Sequence, residues 1–340
     1  MPEQRQRSLK SISVMGSRIE TQGRKLFGVG ILVLALGLLT AACSSFAAKP
    51  ITATLPEYSG VIAASEFFVG ENRFPFALVS SQGNLLEDAR VQVRFYSLPQ
   101  QRPPEFRTEA PARFFRGRGV TPHLHPGGEV HKHIELKSVY VVGSVMFDQP
   151  GFWGAEFDVK ASGFQRPKVQ GAAFEVRSKS RVPNVGDPVP PSRNLTLADV
   201  ASIEEIETRV PPDNMHDLSV AQALQQDKPF VVVFATPMYC ITRMCGPVTD
   251  IAAELHERYR DKVNFIHIEP WDLTIARGEG KLVPIQISQD WGLPTEPWVF
   301  VVNQQGRVAS RFEGLVAPEE LEPAIAGVLA GKTSTGSGAR

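Results

Sequence analysis

A chain of 340 residues exceeds one ordinary core and predicts two domains, with an apolar share of 42% that suits a globular protein. Lys and Arg number 36 and so do Asp and Glu, so no global field draws the chain to nucleic acid or another polyanion.

Residues 1–43 read as an address. Arg5, Arg7, Lys10, Arg18, Arg24 and Lys25 form a basic leader, and the uncharged run LFGVGILVLALGLLTAA from Leu26 to Ala42 ends in small residues before Cys43. The stretch LLTAAC resembles a bacterial lipoprotein signal, which implies that Cys43 is lipidated and becomes the mature N-terminus. The alternative is an uncleaved anchor helix, since 17 apolar residues lie at the lower limit of a bilayer span. Both readings tether the rest of the chain to the cell membrane on its extracytoplasmic side. With Cys43 lipidated, the three cysteines leave one pair, Cys240 and Cys245, in a compartment where disulfides persist.

After a linker over residues 44–57, residues 58–180 read as short strands. RFPFALVSSQGNLLEDARVQVRFYSL gives a strand, a Ser-Gln-Gly-Asn turn, and a strand in which Val91, Val93 and Phe95 alternate with polar residues. SVYVVGSVMFDQPGFWGAEFDVKASG repeats this scheme, with Asp148 to Gly151 as the turn and Trp153, Ala155, Phe157 and Val159 on one face. GAAFEVRS adds a last strand. Such spacing without helical periodicity predicts an immunoglobulin-like β-sandwich, although no Cys…Trp…Cys pattern of an antibody domain is present.

Within this segment HLHPGGEVHKH gathers His123, His125, His131 and His133, four of the seven histidines. Residues two apart on a strand share a face, and Pro126-Gly127-Gly128 can turn the chain so that the arms confront each other. Four imidazoles would then suit copper or zinc. The competing reading is an exposed polar loop of solvated histidines, as no carboxylate or cysteine completes a metal-site spacing.

Residues 181–194, with four prolines, read as an extended linker or entry arm, and the pattern then changes to alternating helices and strands over 195–331. DLSVAQALQQ is helical, PFVVVFAT a buried strand, and GPVTDIAAELHERY a helix with Val248, Ile251, Ala252, Leu255 and Tyr259 on one stripe. VNFIHIEPW is a second buried strand, WVFVVN and RVASRFEG form a hairpin, APEELEPAIAGVLAG is a final helix, and 332–340 is a disordered tail. His256 and His267 read as structural, and Trp271 and Trp298 as core or pocket-wall aromatics.

FATPMYCITRMCGPV resembles the thioredoxin active-site turn, with Cys245-Gly246-Pro247 matching the first three residues of Cys-Gly-Pro-Cys. GLPTEPWVFVVNQQGRV is similar to that family's cis-proline loop and hairpin, which implies that Pro297 is the cis-proline. VPNVGDPVP is similar to the openings of exported thioredoxin-like and peroxiredoxin-like proteins. The resemblance implies a thioredoxin-like α/β domain, so that the chain as a whole is a two-domain α+β protein. A cysteine at a helix N-terminus meets unpaired N–H groups and the positive end of the helix dipole, which marks Cys245 as the more activated thiol and Cys240 as its resolving partner. Val248 replaces the second cysteine of the family motif, and Val233 falls near its buried acid.

These residues point to thiol–disulfide exchange on extracytoplasmic cysteine-containing proteins, with Cys240, Cys245 and Pro297 as the site and no cofactor required. Two rivals stand beside it: an inert disulfide in a non-catalytic interaction module, and metal handling. FATPMYCITRMC also resembles, more distantly, the Sco-type copper chaperones, whose third ligand is a histidine near the proline loop. No histidine follows His267.

Overall fold

The computed structural model describes residues 57–116, 123–124, 130–131, 138–160 and 167–331. Cys43 with its leader, almost all of the 44–57 linker, His125, His133 and the 332–340 tail lie outside the described residues.

The N-terminal half is built from β1 (Tyr58–Ile62), β2 (Phe67–Phe68), β3 (Gly70–Ser80), β4 (Arg90–Ser97), β5 (Glu105–Arg116), β6 (His123–Leu124), β7 (Val130–His131), β8 (Ser138–Phe147), β9 (Gly151–Lys160), β10 (Val169–Gln170) and β11 (Ala172–Arg177). Apart from the separate β6–β7 pair, they hydrogen-bond in the order β10-β1-β3-β8-β5-β4-β9-β11-β2. Strand β5 joins the two wings of this ladder: it pairs with β4 through residues Glu105 to Ala112 and with β8 through Arg113 to Arg116. Strand β5 is not marked in the sequence, because its inward positions are Thr108, Ala110 and Ala112, only half-buried, and Phe115 alone is buried.

The expected alternation is present elsewhere. Val91, Val93, Phe95, Trp153, Ala155, Phe157 and Val159 are all buried, and they share one core with Phe74, Phe76, Tyr140 and Phe147. Fully burying such side chains stabilises by about 1.5–3 kcal/mol each. The turn at Ser80 to Asn84 closes only a single antiparallel bridge, Val79 with Leu85, and Asp148 to Gly151 joins strands that do not pair, since β3 and β8 belong to one wing while β4 and β9 belong to the other. Gly151 has φ +127°, a conformation that favours glycine where the chain crosses over.

The C-terminal half contains β12 (Phe230–Phe234), β13 (Asn264–Ile268), β14 (Trp298–Val302) and β15 (Val308–Glu313), in the order β13-β12-β14-β15. Strand β12 runs parallel to β13 and antiparallel to β14. The fully buried run FVVVF at β12 matches a strand covered on both faces. The helices are α1 (Val220–Ala223), α2 (Cys245–Tyr259), α3 (Leu273–Glu279), α4 (Gln286–Asp290) and α5 (Pro318–Leu329). Helix α2 buries Val248, Ile251, Ala252 and Leu255 against this sheet, as its stripe requires. The first helix is shorter than its periodicity predicts: Ser219 caps its start, but Asp227-Lys228-Pro229 follows closely, and a proline disfavours helical backbone in the residue before it.

The proline-rich arm is docked. Val182 and Val189 are buried, the Gly186 N–H donates to the Val308 carbonyl at 2.8 Å, and the Val189 N–H donates to the Gly306 carbonyl at 3.0 Å. The described residues from 57 onward fall into one compact unit. Two arginines join its halves: Arg73 makes a bidentate pair with Glu320 at 2.8 and 2.9 Å, and Arg311 lies 3.3 Å from Glu66 with its guanidinium over Phe68 and Trp298.

Candidate active site

Strand β12 ends at Phe234, a loop carries Cys240, and Cys245 opens α2. This loop and the Glu296–Pro297 peptide, whose bond is cis, come together. The Ile241 N–H donates to Glu296 Oε1 at 3.0 Å and the Thr242 hydroxyl donates to the Glu296 carbonyl at 3.1 Å. One sulfur or carboxylate atom from each of Cys240, Cys245 and Glu296 lies within 4.8 Å of the others.

The order of activation expected from the sequence is reversed. Cys245 is fully buried in the core with Val248 and Phe312, while Cys240 is only partly buried, and both are free thiols. The Cys245 backbone N–H donates to Cys240 Sγ at 3.2 Å, and the Thr242 hydroxyl lies 3.3 Å from the same sulfur. The helix terminus therefore serves the cysteine before it. Burial works to raise the Cys240 thiol, but hydrogen bonds from the Cys245 thiol, Thr242 and the Cys245 N–H outweigh it and bring the group down to about 7. Burial, reinforced by Cys240 beside it, pushes Cys245 well above the ordinary thiol range. Spacing alone showed that the turn meets the helix N-terminus, but not which side chain turns outward.

Glu296 is a member of the candidate site that no motif in the sequence marks. It is 3% exposed, and burial raises its carboxyl above the usual range, partly offset by the Ile241 N–H. Val233, at the position expected for a buried acid, is an apolar core residue. The available acid enters from the opposite side, one residue before Pro297; an acidic residue abutting the suspected cis-proline was the signal that could have revealed it.

A second group of ligating side chains gathers around His267 of the edge strand β13. Glu207, Asp213, His216 and His267 are all buried, and one ligating atom from each lies within 4.8 Å of the others. Burial disfavours charge on His267, but Asp213 and Glu207 raise it well above its ordinary value, and hydrogen bonds to the same carboxylates raise His216. In the histidine segment, β6 and β7 pair antiparallel with His123 opposite His131. Trp298 is buried in the core and lines a cavity with Arg73 and Arg311, and Trp271 lines another beside His216 and His267.

No family model matches the chain, and no curated protein matches it. Among solved structures, the chain is similar to the solution structure of a thioredoxin-like protein in the oxidized form, with 17% identity, a TM-score of 0.26, and coverage of 32% of this chain and 81% of that one.

Proposed function

We propose that this is an exported, membrane-anchored protein whose C-terminal, thioredoxin-like domain exchanges thiols and disulfides with extracytoplasmic proteins, beside an immunoglobulin-like N-terminal sandwich. The observation that carries the reading is the Cys245 N–H directed at Cys240 Sγ at 3.2 Å, at the start of a 15-residue helix. Cys240 is the attacking thiolate, and Cys245 resolves. Exposed Ile241 beside it offers an apolar contact to an incoming chain, and Pro297 shapes the other wall.

In the reductive direction the Cys240 thiolate attacks one sulfur of a substrate disulfide, forming a mixed disulfide and releasing the other sulfur as a thiolate that takes a proton from solvent. Cys245 then gives its proton to the Glu296 carboxylate and attacks Cys240 Sγ. The Cys240–Cys245 disulfide forms, the second substrate thiolate leaves, and the substrate has gained two electrons. A partner dithiol restores the pair; the oxidative direction is the same sequence reversed.

Cys245→Ser should trap mixed disulfides at Cys240 with extracytoplasmic proteins, because the attacking thiol remains while the resolving one is gone. A wild-type pair that stays oxidised against a glutathione pool, with a potential below about −300 mV and no trapped partner, identifies a structural staple instead. Metabolic labelling with a fatty-acid analogue tests the anchor: label should enter through Cys43 and vanish in Cys43→Ala, whereas unlabelled membrane-embedded protein indicates the uncleaved helix.

The register of His123 against His131 supports a second reading, a copper or zinc site at the histidine hairpin. If His125→Ala and His131→Ala both leave affinity for either ion unchanged, that site does not exist.

A further inference from the structure

We propose that Glu207, Asp213, His216 and His267 form a closed, four-ligand site for a divalent transition-metal ion, zinc foremost, which locks the segment from Glu207 to His216 against β13 and is independent of the thiol chemistry.

One ligating atom from each of the four side chains lies within 4.8 Å of the others, and each imidazole faces both carboxylates. His216 Nε2 lies 2.7 Å from Glu207 Oε2 and 3.4 Å from Asp213 Oδ1, and His267 Nδ1 lies 2.9 Å from Asp213 Oδ2 and 3.5 Å from Glu207 Oε1. Zinc bonds of 2.0–2.1 Å to nitrogen and oxygen give ligand separations of about 3.3 Å. The two shortest contacts, at 2.7 and 2.9 Å, would open by about half an ångström around a zinc ion.

The surroundings orient these ligands. His267 Nε2 lies 3.1 Å from the Ala235 carbonyl and donates to it, so Nδ1, 2.9 Å from Asp213, is the nitrogen at which a metal would replace the proton, as in metal-binding histidines held by a backbone acceptor. The Arg209 and Asp213 N–H groups donate to the two Glu207 oxygens at 3.1 Å each, and the Met215 N–H donates to Asp213 Oδ1 at 3.0 Å. No Lys or Arg side chain pairs with either carboxylate among the described residues. A dication would take the place of the imidazole protons: with both rings neutral, as ligation requires, one such ion balances the two buried carboxylates. The N2O2 donor set suits zinc.

An entry route exists. His216 and His267 stand on the wall of a cavity of about 200 Å³, together with Glu269 and Trp271. Trp271 Nε1 is buried there without a hydrogen-bond partner among the described residues, beside the Glu269 carboxyl, which marks the cavity as partly polar. The segment also touches the cysteine loop: the Thr208 hydroxyl accepts the Met238 N–H at 3.1 Å and donates to Glu269 Oε1 at 2.5 Å.

The test uses the full-length chain in detergent, freed of metal by a chelator and then titrated with zinc alone or cobalt alone. The expected result is one tightly bound zinc per chain, a thermal transition raised by zinc, and a tetrahedral cobalt spectrum without thiolate charge-transfer bands. Glu207→Gln, which keeps the shape and most acceptors, should weaken zinc at least tenfold, and His267→Ala should abolish binding. Replacing His123, His125, His131 and His133 together, or both Cys240 and Cys245 by serine, should leave this zinc in place. No zinc uptake and no thermal shift in the wild type would identify a proton-satisfied polar cluster and overturn the site. Thiolate bands, loss of the zinc in the hairpin variant, or undiminished binding in Glu207→Gln would overturn it equally.

Discussion

The backbone N–H of Cys245 points at the sulfur of Cys240, 3.2 Å away, so the first residue of α2 places its amide on one cysteine while burying its own thiol. With the Cys240 thiol at about 7, half of it is thiolate at pH 7, against about 3% for a free cysteine of pKa 8.5. Lower basicity costs some nucleophilicity, so the net gain in alkylation rate at pH 7 is about threefold over a free thiol. Iodoacetamide applied to the reduced protein should modify Cys240 alone, with a rate that rises through pH 7 and levels off by pH 8. Modification of Cys245 first would reverse the proposed roles.

The same shift enters stability, with a definite sign. The folded-state value of about 7 lies below the reference of 9.0, so between these values the folded protein binds fewer protons than the unfolded chain. Stability from this group is thus present in full above pH 9 and is lost as pH falls through 7. At about 1.4 kcal/mol per unit, reduced wild type should gain about 2 kcal/mol over Cys240→Ala between pH 7 and 9. Burial of Cys245 acts in the opposite sense, but only above pH 9, since its value is raised. Urea denaturation at pH 6, 8 and 9 reads the difference; a flat profile would mean that the hydrogen bonds at Cys240 Sγ do not favour the thiolate.

Glu296 affects the two steps differently. Its charge disfavours thiolates at Cys240 and Cys245, yet its carboxylate is the acceptor within reach of the resolving thiol. Glu296→Gln keeps an acceptor for the Ile241 N–H while removing charge and basicity. Cys240 should then alkylate faster at pH 6, whereas mixed disulfides should resolve about 10²-fold more slowly. Equal slowing of both steps would point to a displaced loop rather than a lost proton acceptor.

Much of this organisation is legible in the sequence because period and burial agree locally. Trp153, Ala155, Phe157 and Val159 alternate because one face of β9 is core, and Val248, Ile251, Ala252 and Leu255 recur at helical spacing because α2 lies on a sheet. What remained hidden depends on contacts between distant residues. Strand β5 takes its place from two partners, β4 and β8, rather than from a strong pattern of its own. Glu296 reaches the cysteines from 51 residues beyond Cys245, and His267 meets Glu207 and Asp213 only through the fold. Alternation with Phe265 correctly placed His267 in a strand but could not show that its partners are carboxylates.

Arg73 and Glu320 provide the sharpest test of how the two halves are joined. Their side chains are 8% and 7% exposed, and the arginine also donates to the carbonyls of Glu313 and Leu315 at 3.0 and 2.6 Å. Glu320 in turn accepts the Ala317 N–H at 3.2 Å, where α5 begins. Removing one partner of a buried pair strands the other charge, so Glu320→Ala should cost about 3–5 kcal/mol, including about 1 kcal/mol for the lost cap. Arg73→Met should cost less, because a carboxylate near a helix N-terminus keeps favourable donors. The double variant Arg73→Met, Glu320→Leu removes both charges and should recover most of the Glu320→Ala loss, as well-packed apolar replacements of buried pairs do. Urea unfolding followed by tryptophan fluorescence measures all three. Costs that merely add in the double variant would mean that the pair is solvated and does not hold the halves together.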